Sequence, residues 1–314
     1  MTQQSDVFVR DTEPFRRELL AHCYRMLGSA DEAEDVVQET YLRAWRSYGR
    51  FEGRSSLRTW LYQIATNACL TAREHRARRA LPSGLGGPGE DRPAELEWLQ
   101  PMPDALVTAE SGDPAVIAAT RDSLRLALIA SFQYLPPRQR AVLLLREVLA
   151  FSADDVARML GTSTVAVKSA LQRARARLND VAPADRQIAE PPEPAARALL
   201  DQYIAAFESA DAAALERLLR RDAMLELPPS SVWFAGGEAI ATAVAGLGYP
   251  GEWRMVPTWA NGQPAAAAYR RSADGAYRAY GIVVLTVSPT GIARIVVFGD
   301  PGLFGRFGLP PTWR

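Results

Sequence analysis

Histidine, cysteine and lysine are nearly missing from this chain of 314 residues, which has two, two and one of them. Cys23 and Cys69 lie far apart, and both fall on apolar positions of helical patterns. They read as buried thiols in a reducing compartment, and neither a disulfide nor a metal site is expected. Beyond Pro194 there is no histidine at all, which removes the side chain most often used for acid–base catalysis. No uncharged apolar run reaches membrane-spanning length, and Met1 to Arg10 is polar, so a cytoplasmic protein with no membrane partner is expected. A net charge is missing too, with 36 basic against 36 acidic residues, whereas nucleic-acid binders usually carry a basic excess. That average hides a segregation. Residues 113–180 hold 10 basic and 6 acidic side chains, and residues 81–112 hold 1 and 6. Arginine in place of lysine suits planar, bidentate contacts with phosphate or base edges, although a codon bias gives the same composition.

The length predicts two or three domains, and 48% apolar with 23% charged residues places them among soluble globular proteins. Phe15, Leu19, Cys23 and Met26 share a helical face that stops at Gly28. Ser29 and Glu32 have the spacing of a capping box ahead of a second helix, which carries Ala33, Val36, Val37, Tyr41, Ala44, Trp45 and Tyr48. Ser55 or Ser56 caps a third, with Leu57, Leu61, Ile64, Ala65, Ala68 and Ala72. Residues 81–112, rich in Pro, Gly and acid, read as a flexible linker. Helices are expected over Val116–Leu135 and Arg138–Leu149, and a second linker, 181–193, precedes a block of mixed helix and strand.

Phe151 to Leu178 has the pattern of a helix-turn-helix, with Val156, Ala157 and Leu160 before a turn at Gly161 and Val167, Leu171, Ala174 and Leu178 after it. Thr162 or Ser163 caps the second helix, and Thr164, Lys168, Ser169, Gln172 and Arg173 lie away from the core, a face suited to a major groove. An antiparallel helix pair with a solvated basic face fits the same residues. The run Val167-Lys168-Ser169-Ala170-Leu171-Gln172-Arg173-Ala174-Arg175, preceded by Leu135-Pro136-Pro137-Arg138-Gln139-Arg140, resembles region 4 of extracytoplasmic-function (ECF) sigma factors. The resemblance implies that residues 113–180 grip the upstream, minus-35 promoter element and meet the β flap of core RNA polymerase. Ala170 departs from the arginine of many relatives, which leaves the upstream sequence open.

Asp31 to Trp45 is similar to region 2.2 of the same family, which docks on the polymerase β′ clamp. Asp31, Asp35, Gln38 and Glu39 form an acidic stripe and, with Arg43, are the candidates for that contact. Acids at a helix start and arginines at its end also complement the macrodipole. Between Tyr48 and Asn67, the aromatics Phe51, Trp60 and Tyr62 interleave with Arg50, Arg54 and Arg58, a composition suited to unpaired DNA. Phe51 to Leu61 resembles regions 2.3 and 2.4. The resemblance implies that Arg54, Ser55, Ser56, Arg58 and Asn67 read the minus-ten element, where capture of an extruded base offsets the few kcal/mol of unstacking. Core packing is the expected fate of Trp60 and Trp45.

The C-terminal block offers a helix ending near Phe207, one capped by Asp211, a strand at Ala223–Leu227 and a helix at Glu238–Leu247. Further strands include Tyr277–Val287 and Ile292–Phe298, joined by a turn at Ser288 to Gly291. This order resembles the SnoaL-like, cone-shaped α+β fold, which is fused to a subset of these sigma factors, and implies a built-in regulator. Trp233, Trp253, Trp259, Tyr269 and Tyr280 either line a pocket in the cone or pack its core. The tail, Gly302 to Pro310, either docks on another surface or closes the cone.

The expectation is a multidomain protein. Two all-α modules bind DNA and polymerase, at 6–80 and, as a helix-turn-helix, at 113–180; a SnoaL-like α+β domain follows at 194–314. It is a non-enzymatic sigma factor without a cofactor, partnered by core RNA polymerase and promoter DNA, and a small-molecule or intramolecular ligand of the last domain stays open. One alternative is a ligand-sensing helix-turn-helix regulator that binds DNA without polymerase, which leaves the first domain unexplained. Another is a SnoaL-like cyclase or hydratase, which needs an acid–base pair that Asp222, Glu226 and Asp300 do not supply.

Overall fold

The computed structural model describes residues 2–53, 55–73, 78–90, 97–108, 119, 121–181, 188, 190–246 and 248–313. Contacts divide the chain into a helical unit, Met1–Arg79 with Ala105–Pro183, and an α+β unit, Ala80–Asp104 with Ala184–Arg314.

The helical unit begins with α1 (Thr2–Thr12), α2 (Arg16–Leu27), α3 (Ala30–Tyr48) and α4 (Leu57–Ala72). Gly28, at φ 70°, ends α2 in the left-handed conformation that glycine adopts without strain. Ser29 Oγ accepts from the Glu32 N–H at 3.2 Å and Ser56 Oγ from the Thr59 N–H at 3.0 Å, so both expected serine caps form. The apolar faces close on one another, burying Leu19, Cys23, Met26, Ala33, Val37, Leu61, Ala65 and Cys69. Helix α1 was not expected, because Phe8 is the anchor of an otherwise polar stretch. Its ring packs edge-on against Tyr41, Trp45 and Tyr48. Trp45 sits at the margin of this cluster, 37% exposed, and not in the core as expected.

Helices α5 (Leu126–Phe132) and α6 (Pro137–Leu143) follow, the latter running into a π turn over Leu144–Val148. The single helix expected over 116–135 is therefore interrupted before Leu126, where residues 123 and 124 form a turn. Pro136 and Pro137 open α6, where a missing N–H is harmless. Arg140, 1% exposed, joins these helices to the first group: its guanidinium donates to Gln133 Oε1 at 2.8 Å, Leu135 O at 3.1 Å and Met26 O, at the end of α2. Burial, then neighbouring Arg73, pulls its pKa down to about 9, which still leaves it charged at neutral pH. Helices α7 (Ala153–Met159) and α8 (Thr164–Val181) complete the unit.

The α+β unit holds α9 (Glu193–Glu208), α10 (Ala212–Leu218), β1 (Leu219–Glu226), β2 (Trp233–Ala235), α11 (Gly237–Ala245), β3 (Trp253–Ala260), β4 (Gln263–Arg271), β5 (Tyr277–Ser288), β6 (Gly291–Phe298) and β7 (Thr312–Trp313). Asp211 Oδ1 caps α10 by accepting from the Ala214 N–H at 2.8 Å. Among the described residues the sheet has seven strands in the order β2-β1-β6-β5-β4-β3, with β7 on β5. Only β1 and β6 pair in parallel. Leu200 and Tyr203 of α9, Leu215 and Ile240 pack with Leu225, Met255, Val283, Leu285 and Ile295 in one cluster.

Of the segment read as the first linker, residues 81–90 and 97–104 are built into this unit, and 91–96 and 109–112 lie outside the described residues. Leu81, Leu99 and Met102 are buried, and the Ala80 and Leu99 N–H groups donate to Glu97 O and Ala80 O at 3.1 and 3.2 Å. We call residues 80–90 and 97–104 the strap. The acidic, Pro- and Gly-rich composition concealed its three apolar anchors. Among the described residues no helix is long and apolar enough to cross a membrane.

Candidate nucleic-acid interface

The expected helix-turn-helix is formed by α7 and α8. Ser152 Oγ accepts from the Asp155 N–H at 3.0 Å to cap α7, Gly161 takes φ 59° in the turn, and Ser163 Oγ accepts from the Ala166 N–H at 3.2 Å to start α8. Val167, Ala174 and Leu178 point into the core. Lys168, Gln172 and Arg173 are exposed, with Thr164 and Ser169 half-buried beside them. Arg173 donates to Ser169 Oγ at 2.6 Å, so its guanidinium is held on the outward face. The first turn of α8 carries no acid, whereas that of α7 carries Asp154 and Asp155. Free N–H groups and basic side chains thus meet no competing carboxylate at the start of α8, which is the arrangement a phosphate-lined groove requires.

On α3, Asp31, Asp35 and Gln38 are exposed on successive turns, with Glu39 half-buried and joined to exposed Arg43, whose Nε donates to Glu39 Oε1 at 2.6 Å. Leu42, 52% exposed, continues the stripe of Asp31, Asp35 and Gln38 one turn further with an apolar side chain. This combination is typical of a surface that receives a basic partner.

The expected minus-ten readers are placed less uniformly. Arg54 lies outside the described residues. Ser56 is spent on capping α4, which leaves its exposed side chain at the helix start, and Ser55 is half-buried next to it. Arg58 is engaged: Nε and Nη2 reach Glu18 at 3.0 to 3.1 Å, and its guanidinium lies 4.9 and 4.8 Å from the Tyr62 and Phe151 rings. Asn67 Nδ2 donates to Met159 O, the last residue of α7, at 3.3 Å. Two side chains chosen for DNA are therefore occupied by protein, because α4 packs against α7 and its flanks. Trp60 stacks on Phe51 at 4.9 Å and is half-buried.

The five aromatic pocket candidates do not converge. Trp253, buried, packs edge-on against Phe207 and the exposed Tyr280. Trp233 donates from Nε1 to Gly86 O of the strap at 3.0 Å. Tyr269 donates to Pro310 O at 3.0 Å and packs on Phe304, so the apolar tail closes over the sheet. Trp259 packs on the core cluster. The cavity bordered by Phe207, Asp211, Leu215, Val244 and Trp253 measures about 10 Å³, the room of one water.

Sequence reasoning missed the residues that hold the strap. Glu226, 0% exposed, pairs with buried Arg294 at 2.5 Å and accepts from the Ser83 N–H and Oγ, each at 3.1 Å. The Gly89 N–H donates to Trp233 O at 2.9 Å. At the other end Asn261 Oδ1 accepts from the Met102 N–H at 2.9 Å, and Asp104 Oδ1 from the Gly262 N–H at 2.7 Å. The Asn-Gly pair at 261–262 is a turn signal that could have marked the corner between β3 and β4, but nothing local points to its partner.

The pattern of Sigma-70 region 2 matches residues 12–79, and that of Sigma-70 region 4 matches residues 125–178. The chain is 50% identical over 316 residues to "ECF RNA polymerase sigma factor SigG" of Mycobacterium tuberculosis, spanning 97% of this chain and 84% of that protein. It is 34% identical over 161 residues to "RNA polymerase sigma-H factor" of Pseudomonas aeruginosa, spanning 51% of this chain and 78% of that one. The crystal structure of the M. tuberculosis ECF sigma factor SigJ superposes with a TM-score of 0.63 at 22% identity, covering 96% of this chain and 99% of that one, and so shares the fold. With both sigma-70 regions in order and a close relative along almost its whole length, the chain belongs to the ECF RNA polymerase sigma factors.

Proposed function

We propose that α3 docks on the polymerase β′ clamp through Asp31, Asp35, Gln38, Glu39 and Arg43, and that α8 enters the major groove of the upstream element with Thr164, Lys168, Ser169, Gln172 and Arg173. Arg54, Ser55, Ser56, Arg58 and Asn67 read the minus-ten element, and the helical unit meets the β flap through residues 113–180. The α+β unit, from 194 to 314, is a non-enzymatic regulator in the cytoplasm, where core polymerase works.

The observation that carries the regulatory part is the strap. It lies in sequence between regions 2 and 4 but is bonded to the α+β unit at Glu226, Trp233, Asn261 and Gly262. Should regions 2 and 4 part from the packing they share in the helical unit, the length of chain between them is limited by a segment that the third domain holds. The test is run-off transcription with core polymerase on random genomic fragments, comparing the full chain with the variant Ser83→Ala, Asn261→Gly. Glycine tolerates the φ of 59° at 261 and removes the side chain whose Oδ1 accepts from the Met102 N–H. A changed yield or promoter set at unchanged core binding supports regulation through the strap; identical transcripts would discard it.

A further inference from the structure

We infer that Val165 reads the 5-methyl group of a thymine in the upstream element. This rests on the reading that α8 lies in the major groove. Val165 is 75% exposed, more than Leu42 at 52% or Tyr249 at 61%. Ser163 caps α8, so Val165 is the second residue of that helix, within the N-terminal turn that recognition helices present to base edges. Ser169 and Gln172 follow at intervals of four and three residues, and so fall on the same stripe.

The folded protein gains nothing evident from valine here. A β-branched side chain is a poorer helix former than alanine, the first turn of a helix favours acids, and this side chain buries little. Two local preferences are set aside at a position that faces outward from a helix-turn-helix, the pattern expected of a functional residue. Acids are disfavoured there by phosphate. The apolar choice selects among bases, because thymine alone carries a methyl group on its major-groove edge. Ala166, exposed, leaves room beside the valine for close approach.

The experiment uses the full chain with core polymerase on a promoter recovered by run-off transcription. Each thymine of the upstream element is replaced in turn by deoxyuridine, which removes the methyl group and keeps every hydrogen-bonding atom, and binding is measured for the parent, Val165→Ala and Arg173→Ala. At one thymine the parent is expected to bind about fourfold more weakly after replacement, the effect of one buried methyl group. Val165→Ala is expected to bind both DNAs equally. If Arg173→Ala weakens binding but no deoxyuridine does, or if Val165→Ala keeps the parent's sensitivity, the inference about Val165 is wrong while the placement of α8 stands. If Arg173→Ala binds as the parent does, the placement of α8 itself fails. If Val165→Ala weakens the complex with core polymerase in the absence of DNA, the valine is a polymerase contact and the inference is likewise overturned.

Discussion

Replacing Arg294 by methionine should destabilise the α+β unit far more than its single ion pair suggests. Glu226 is fully buried, and its two oxygens are shared among Arg294 and the backbone and hydroxyl of Ser83. Without the guanidinium the carboxylate keeps two neutral donors and no cation, in a fully buried position. Breaking a buried pair in this way costs about 3–5 kcal/mol, because the remaining charge is uncompensated. At about 4 °C per kcal/mol for a unit of this size, the melting transition should fall by roughly 12–20 °C. The assay is differential scanning calorimetry of the full chain. The double variant Glu226→Leu, Arg294→Met removes both charges and should recover most of the loss, leaving the strap short of its Ser83 acceptor. A single variant that melts within about 3 °C of the parent, or a double variant that melts as low as the single, would refute the reasoning.

Burial, with Arg25 and Arg58 nearby, lowers the pKa of His22 to about 3, and its Nε2 lies 2.9 Å from Thr66 Oγ1. Between pH 3 and 6.5 the unfolded chain therefore binds a proton that the native one does not, so stability is intact above pH 6.5 and falls on acidification, by ~2 kcal/mol at pH 5. In denaturant titrations His22→Gln should lack that part of the acid loss; an unchanged pH profile would count against a neutral imidazole. Arg173→Ala is expected to weaken upstream-element binding and lower the salt slope by about 1, measured by titration across salt concentrations. Asp35→Arg should weaken core polymerase binding without altering the melting temperature, because Asp35 is exposed on α3; unaltered affinity in a pull-down with core would remove the stripe from the interface.

What could be read from the sequence was local. Gly28, Ser29, Ser56, Asp211 and Ser163 act within four residues of themselves, and each behaves as its type implies. The helix-turn-helix was legible for the same reason. Strand β4 was harder to read because Ala265 to Ala268 are weak strand formers, chosen because all four are buried. The strap was invisible because its composition matches that of a linker, and its anchors are 143 residues away in Glu226 and 159 in Asn261. Strand β2, three residues long, carries too little pattern to separate from a loop.

Arg58 and Asn67 mark the limit of reading chemistry from residue type. Both have the donors that an unpaired strand needs, and both are taken, one by Glu18 and the rings of Tyr62 and Phe151, the other by Met159 O. Whether a promoter strand can displace these contacts depends on their strength. The Arg58–Glu18 pair is about one-third exposed on each side, which limits it to about 1 kcal/mol at most. A single hydrogen bond such as that of Asn67 adds about 0.5–1.5 kcal/mol. Together these two contacts amount to about 0.5–2.5 kcal/mol, roughly a two- to seventyfold preference for the occupied arrangement. A captured base stacked on an aromatic ring returns about 1–3 kcal/mol by itself. The proposed minus-ten readers are thus held at a level that a promoter strand can match, so their occupation in the free protein raises the threshold for DNA binding without preventing it.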